Sequence, residues 1–238
     1  MRSGEGTAVL YWLMKWVFMG PLMRAAFRPE VRGADHLPRT GGALVASNHL
    51  AVLDSFVLPL MVPRRMAFPA KAEYFTTPGP VGTLQRWFFT GMGQVPIERG
   101  NGRAARAALD TGIRVLREGR LFGIYPEGTR SPDGRLYKGR TGVARMALEA
   151  GVPVVPVAMI GTDRANPVGS RFWRPVKITI AIGRPLDFSR YAGIADDRQV
   201  ERAITDEVMD AILALSGQEY VDVYASKAKE SAGDAEAA

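Results

Sequence analysis

His49 and Asp54 are the side chains whose types and spacing most directly suggest chemistry. His49, one of two histidines, follows the apolar run Ala43-Leu44-Val45-Ala46 and stands five positions before Asp54. Imidazole takes up a proton near neutral pH, and a carboxylate beside it orients the ring and stabilises its charged form. One continuous helix would not join the two, because positions i and i+5 lie about 140° apart around its axis. They meet if His49 occupies the turn leaving a strand and Asp54 the first turn of the next helix. Taken alone, so short a pattern favours a plainer reading, a surface histidine beside an ordinary helix N-cap.

Three further segments shift the balance. In Gly93-Gln94-Val95-Pro96-Ile97-Glu98-Arg99-Gly100 a short extended run ends in an arginine flanked by glycine. A guanidinium there offers a phosphate paired donors in a fixed fork. Between Phe122 and Ser131 a buried strand stops at Pro126 and presents Glu127, Gly128 and Arg130 at its carboxyl end, the edge where parallel α/β sheets bind ligands. Glu127 suits a substrate hydroxyl and Arg130 a phosphate, while Gly128 lets backbone N–H groups approach a substrate oxygen; the alternative is a salt-bridged turn. From Gly151 to Ala158 an apolar strand carries Pro153 and Pro156. Proline cannot donate to a ladder, which points to an edge or site-lining strand suited to an acyl chain, with core packing as the other reading.

The elements that must position these groups alternate. Apolar runs predict strands near 43–47, 66–70, 121–125, 152–160 and 175–182, and helices near 54–61, 80–90, 102–118, 139–150 and 198–215. This predicts one α/β domain over 29–225, a mixed, largely parallel sheet flanked by helices. In the helix at 102–118, Arg103, Arg106, Arg114 and Arg117 share roughly an 80° arc with Asp110, the pattern of a solvated, ion-paired face. Ile204, Val208, Ile212 and Leu215 form an apolar stripe in the last long helix. The polar, low-complexity stretch 226–238 reads as a disordered tail. His36 lies in a Gly/Pro-punctuated connection over 32–42 and takes no role.

Composition narrows the partners. The chain of 238 residues is 47% hydrophobic, enough for a substantial core. It has no cysteine, which excludes disulfides, zinc–thiolate sites and thiol nucleophiles. A net charge of +7 favours anionic partners, and without a nucleic-acid-binding motif a lipid surface or phosphorylated substrate ranks above nucleic acid. Residues 8–19 are apolar on every side except Lys15 and carry Tyr11, Trp12 and Trp16, with Arg24 and Arg28 following. The run falls short of the roughly 20 residues that span a bilayer. Residues 1–28 therefore read as a monotopic, membrane-contacting helix with arginines near lipid headgroups; packing against the protein's own core is the alternative.

In order, N-H-x-x-x-x-D at 48–54, G-x-x-x-I-x-R at 93–99, Pro126-Glu127-Gly128-Thr129-Arg130-Ser131 and the V-P-V-V-P-V strand at 152–157 resemble the four blocks of glycerolipid acyltransferases of the 1-acylglycerol-3-phosphate acyltransferase type. Two positions depart from the pattern: Tyr125 replaces the usual Phe, and Pro96 stands where a bulky aromatic is usual. The resemblance implies the glycerol-phosphate acyltransferase fold and transfer of an acyl group from acyl-CoA or acyl carrier protein to lysophosphatidic acid. It implies His49 as general base and Asp54 as its partner, with no acyl-enzyme, metal or cofactor. Arg99 and Arg130 would hold the acceptor phosphate with added charge from Lys71, Glu127 a glycerol hydroxyl, and a backbone amide near Gly128 the developing oxyanion. The implied place is the cytoplasmic face of the cell membrane. The rivals are an acyltransferase for another lysophospholipid or a glycolipid, and a non-catalytic lipid-binding relative.

Overall fold

The computed structural model describes residues 3–97, 103–167, 170, 172–194 and 197–236. It begins with a helical arm: α1 (Ser3–Leu13), a π-helical turn over Met14–Phe18, and α2 (Met19–Phe27). Pro21 has no N–H for the Val17 carbonyl, and the wider turn stands immediately before it. Arg28, in the left-handed region at φ 42°, ends the arm.

There follow β1 (Glu30–Arg32), β2 (Ala43–Ser47), α3 (Asp54–Met61), β3 (Met66–Lys71), α4 (Glu73–Thr76), α5 (Gly79–Gly91) and β4 (Gln94–Ile97). The second half holds α6 (Arg103–Arg117), β5 (Leu121–Ile124), β6 (Leu136–Tyr137), α7 (Gly142–Ala150), β7 (Val154–Ile160), α8 (Thr162–Ala165), β8 (Thr179–Ile182), α9 (Arg198–Ser216), β9 (Tyr220–Val221) and α10 (Ala225–Glu236). Seven strands form one sheet in the order β1-β8-β7-β2-β5-β3-β4, parallel except for the β7–β8 pair. Strand β2 is buried on both sides, and its residues alternate between two cores. Ala43 and Val45 meet the layer of α3 and the arm (Met14, Met23, Phe27, Val57, Leu58), whereas Leu44 and Ala46 meet the layer of α6, α7 and α9 (Ile113, Leu116, Val143, Met146, Ile204, Val208).

The mixed, largely parallel sheet between helices is the predicted architecture, and three local expectations change. Strand β7 is interior, not an edge: β2 pairs on one side and β8 on the other. Pro156 is tolerated because it falls where the β7–β8 pairing slips, between the Val154–Leu186 bridge and the Val157–Ile182 pair, and its carbonyl still accepts from the Gly183 N–H at 2.8 Å. Its neighbours Val154, Val155 and Val157 are core residues. The stretch read as a disordered tail forms α10 as far as Glu236, since its Ala, Lys and Glu residues favour helix and Ala225 is buried. The N-terminal arm has one face packed on the protein's own core, the alternative reading, and one face exposed. Tyr11, Met14, Lys15, Met23 and Phe27 pack inward, while Val9, Trp12, Leu13, Trp16, Val17, Phe18 and Leu22 face outward. Lys15, the one charge in the run, turns inward to donate to the Val62 carbonyl, and burial lowers its amine to about 8.

Candidate active site

Parallel pairing brings the carboxyl ends of β2, β5, β3 and β4 to one edge of the sheet. At that edge the chain leaves β2 through Asn48 and His49 and turns into α3 at Asp54, the strand–turn–helix path that an i, i+5 pair requires. His49 Nδ1 lies 3.0 Å from Asp54 Oδ2. The same oxygen accepts the backbone N–H groups of Leu50 at 2.7 Å and Ala51 at 2.8 Å. Asp54 is fully buried at the start of α3.

The third block holds His49 from the other side. Its backbone N–H donates to Glu127 Oε1 at 2.9 Å, and its carbonyl accepts from the Ser131 N–H at 2.7 Å. The Tyr125 ring stacks on the imidazole, with centroids 3.8 Å apart and planes 7° from parallel. Ring and backbone are thus held, and Nε2 is the ring nitrogen without a partner among the described residues. The side chain is 15% exposed, so this held group still has an open face.

Helix α3 is itself tied in where proline interrupts it. Pro59 has no N–H for the Ser55 carbonyl, which accepts instead from the Gln94 side-chain amide at 3.0 Å. Pro63 likewise leaves the Pro59 carbonyl free, and Tyr11 Oη of the arm donates to it at 2.7 Å. Ser55 Oγ lies 3.0 Å from Tyr125 Oη. Burial pushes the Tyr125 phenol well above 10, so it stays a neutral partner.

The expected site residues take different places. Glu127 is 1% exposed and its second oxygen accepts the Tyr137 N–H at 3.0 Å. Both Glu127 oxygens are thus engaged by backbone N–H groups, one of them that of His49. Burial raises its carboxyl to about 7 despite the two N–H bonds that favour the anion. Gly128 makes the turn its φ of +75° requires, and its own N–H donates to the Tyr125 carbonyl at 3.0 Å. Arg130 lies two residues on, half-buried and without an ion pair among the described residues. Lys71 ends β3 at the same sheet edge and is exposed. Arg99 lies outside the described residues.

Four contributors were given no role in the sequence. Asn48 donates to the Met159 carbonyl at 3.0 Å and accepts the Met159 N–H at 2.7 Å, fastening the turn to β7. Tyr125, Ser131 and Gln94 act as described above. Asn48 and Ser131 stood in the sequence blocks without a role, and Tyr125 only as a departure from the family pattern; Gln94 carried no signal, because its partner is a carbonyl orphaned by a proline four residues further on.

The acyltransferase family model matches residues 28–160. The chain belongs to this family. Among its relatives, a 1-acyl-sn-glycerol-3-phosphate acyltransferase of Limnanthes alba is 31% identical over 74% of this chain and 58% of its own. One from Bacillus subtilis is 27% identical over 79% and 88% respectively. The crystal structure of the 1-acyl-sn-glycerophosphate (LPA) acyltransferase PlsC from Thermotoga maritima superposes with a TM-score of 0.68, at 28% identity, covering 90% of this chain and 82% of that one. The acyltransferase spans about half the length of the plant relatives it matches, from 40% to 58%.

Proposed function

We propose that this acyltransferase moves a fatty acyl group from a thioester, acyl-CoA or acyl carrier protein, to the free hydroxyl of lysophosphatidic acid, giving phosphatidic acid. The observation that carries the reading is a histidine fixed by ring and backbone with Nε2 left open beside the loop of Arg130. In this mechanism Nδ1–H donates to Asp54, so Nε2 bears the lone pair. It takes the proton of the acceptor hydroxyl as that oxygen attacks the thioester carbonyl. The tetrahedral intermediate collapses, the C–S bond breaks, and the imidazolium returns the proton to the departing thiolate. Arg130 and Arg99 hold the acceptor phosphate, with Lys71 adding charge; Asp54 stabilises the imidazolium; and Glu127 aligns the His49 backbone.

The lipid reading is supported by the outward face of the arm. Trp12, Trp16, Val17, Phe18 and Leu22 are exposed there, and Val81, Leu84 and Trp87 are exposed on α5, which packs against α1 where Gly91 meets Leu10 and Met14. No helix among the described residues is long and apolar enough to cross a membrane, and we assign the face to shallow contact at the cytoplasmic side of the cell membrane. Thioester consumption with palmitoyl-CoA, comparing lysophosphatidic acid with monoacylglycerol, tests the proposal. Turnover that needs the phosphate and is lost in His49→Ala supports it. Equal turnover with both acceptors would move the acceptor to another lysolipid or a glycolipid, and turnover with neither CoA nor carrier-protein donors would leave a lipid-binding relative.

A further inference from the structure

Helix α10 lies outside the family match, yet it docks on the loop that carries Arg130. Strand β9 pairs with β6, whose Tyr137 N–H is the second donor to Glu127, and so delivers α10 to that loop. Three contacts seat it: Ala225 is buried, Ser226 Oγ accepts from Arg140 Nη2 at 3.1 Å, and Lys229 Nζ donates to Thr129 Oγ1 at 2.9 Å. Arg140 also covers Tyr224, 5.2 Å from its ring centroid, and lies over Gly128, where an added Cβ would come within 2.9 Å of Nε.

Charge pairing around this loop is uneven. Arg135 is paired with Asp133 at 2.7 Å and Lys138 with Asp222 at 2.8 Å. Arg130, Arg140 and Lys229 pair with no carboxylate among the described residues. The nearby Glu127 carboxylate is committed to two backbone N–H groups. Burial and then the charge of Arg130 lower the Lys229 amine. The fold therefore brings cations together over a glycine turn with no ion-pair partner among the described residues, an arrangement that an anion stabilises.

We propose that Lys229, with Arg140 beside it, completes the Arg130 phosphate site and selects a phosphate monoester over a phosphodiester. A monoester carries about −1.5 to −2 at neutral pH, whereas a diester carries a single charge, so an added cation favours the monoester. The inference rests on the function proposed above, and it makes α10 part of the acceptor-binding surface.

The test compares the unaltered acyltransferase with Lys229→Gln, Lys229→Arg and Lys227→Gln, using lysophosphatidic acid and lysophosphatidylglycerol as acceptors at fixed palmitoyl-CoA. Lys227 is exposed on the same helix, and its replacement removes the same net charge. Lys229→Gln should raise KM for lysophosphatidic acid roughly three- to tenfold, with kcat within about twofold, and change KM for the diester little. Lys229→Arg should restore the preference, and Lys227→Gln should not alter it. A parallel rise for both acceptors, a rise in KM for palmitoyl-CoA instead, the same shift in Lys227→Gln, or no shift at all would overturn the assignment. Amine-reactive labelling of Lys229 in the unaltered protein, read by mass spectrometry, should be slowed by glycerol 3-phosphate and not by glycerol; absence of protection also overturns it. If the unaltered protein fails to acylate lysophosphatidic acid, the functional reading falls and this inference with it. Normal turnover with silent Lys229 arms removes this inference alone.

Discussion

At the scale of residues, the chemistry depends on how completely His49 is held. Asp54 fixes the ring through Nδ1, Tyr125 fixes its plane, and Glu127 and Ser131 fix the backbone on either side. Replacing His49 with Ala should lower turnover by at least about 10²-fold, the smaller end of the loss expected for a general base; near-normal single-turnover rates would exclude the mechanism. Glu127 predicts a pH effect on stability. Its carboxyl moves from 4.5 in the ordinary state to about 7 when buried. The folded chain then keeps a proton that the unfolded chain releases, so stability is fully present below about 4.5 and falls as pH rises through about 7. Thermal unfolding from acid to neutral pH should show that fall, on the order of 1–3 kcal/mol, in the unaltered protein relative to Glu127→Gln. Parallel curves for the two proteins would place the titrating group elsewhere.

At the scale of elements, the site depends on close packing between strands. Gly123 in β5 has the Phe68 ring directly over it, so that an added Cβ would fall inside the ring. Phe68 in turn packs on Tyr125, centroids 5.4 Å apart, and Tyr125 on His49. Gly123→Ala should therefore destabilise the fold by about 1–3 kcal/mol through overpacking and reduce turnover by displacing Tyr125. Denaturant unfolding and initial rates measure the two effects, and full activity in this variant would show that the Tyr125 stack is dispensable. Glycine inside a strand signals such an approach, but the sequence does not say which ring approaches.

At the scale of the whole molecule, the arm joins a core to a surface. Its inner face supplies Tyr11, Met14, Met23 and Phe27 to the same core as α3, so deleting residues 1–28 would unroof the domain as well as remove any lipid contact. Substitution on the outer face separates the two effects. Trp16→Ser, Val17→Ser and Phe18→Ser together remove three large apolar side chains more than half exposed. They should weaken co-sedimentation with anionic vesicles by at least about tenfold while leaving the melting temperature in place. Undiminished binding would rule out this face as the lipid contact.

The alternation of apolar runs and periodic helices was enough to predict the strands beginning at Ala43, Met66 and Leu121 and the helix at Asp54–Met61, because local burial patterns report secondary structure directly. The third block was likewise read at the carboxyl end of its strand, and parallel pairing puts the carboxyl ends of β2, β3, β4 and β5 at one sheet edge. What each polar atom touches was decided only in three dimensions. The sequence reads Glu127 as a substrate ligand, and only the structure shows its two oxygens accepting backbone N–H groups from Tyr137 and from His49, which stands 78 positions away. The interior place of β7 required knowing that pairing slips at Pro156, and the role of α10 that Lys229 meets Thr129 across 100 positions. Hydrogen bonds and charge pairs of that separation leave no periodic mark on a single chain, whereas burial of a strand or helix face does.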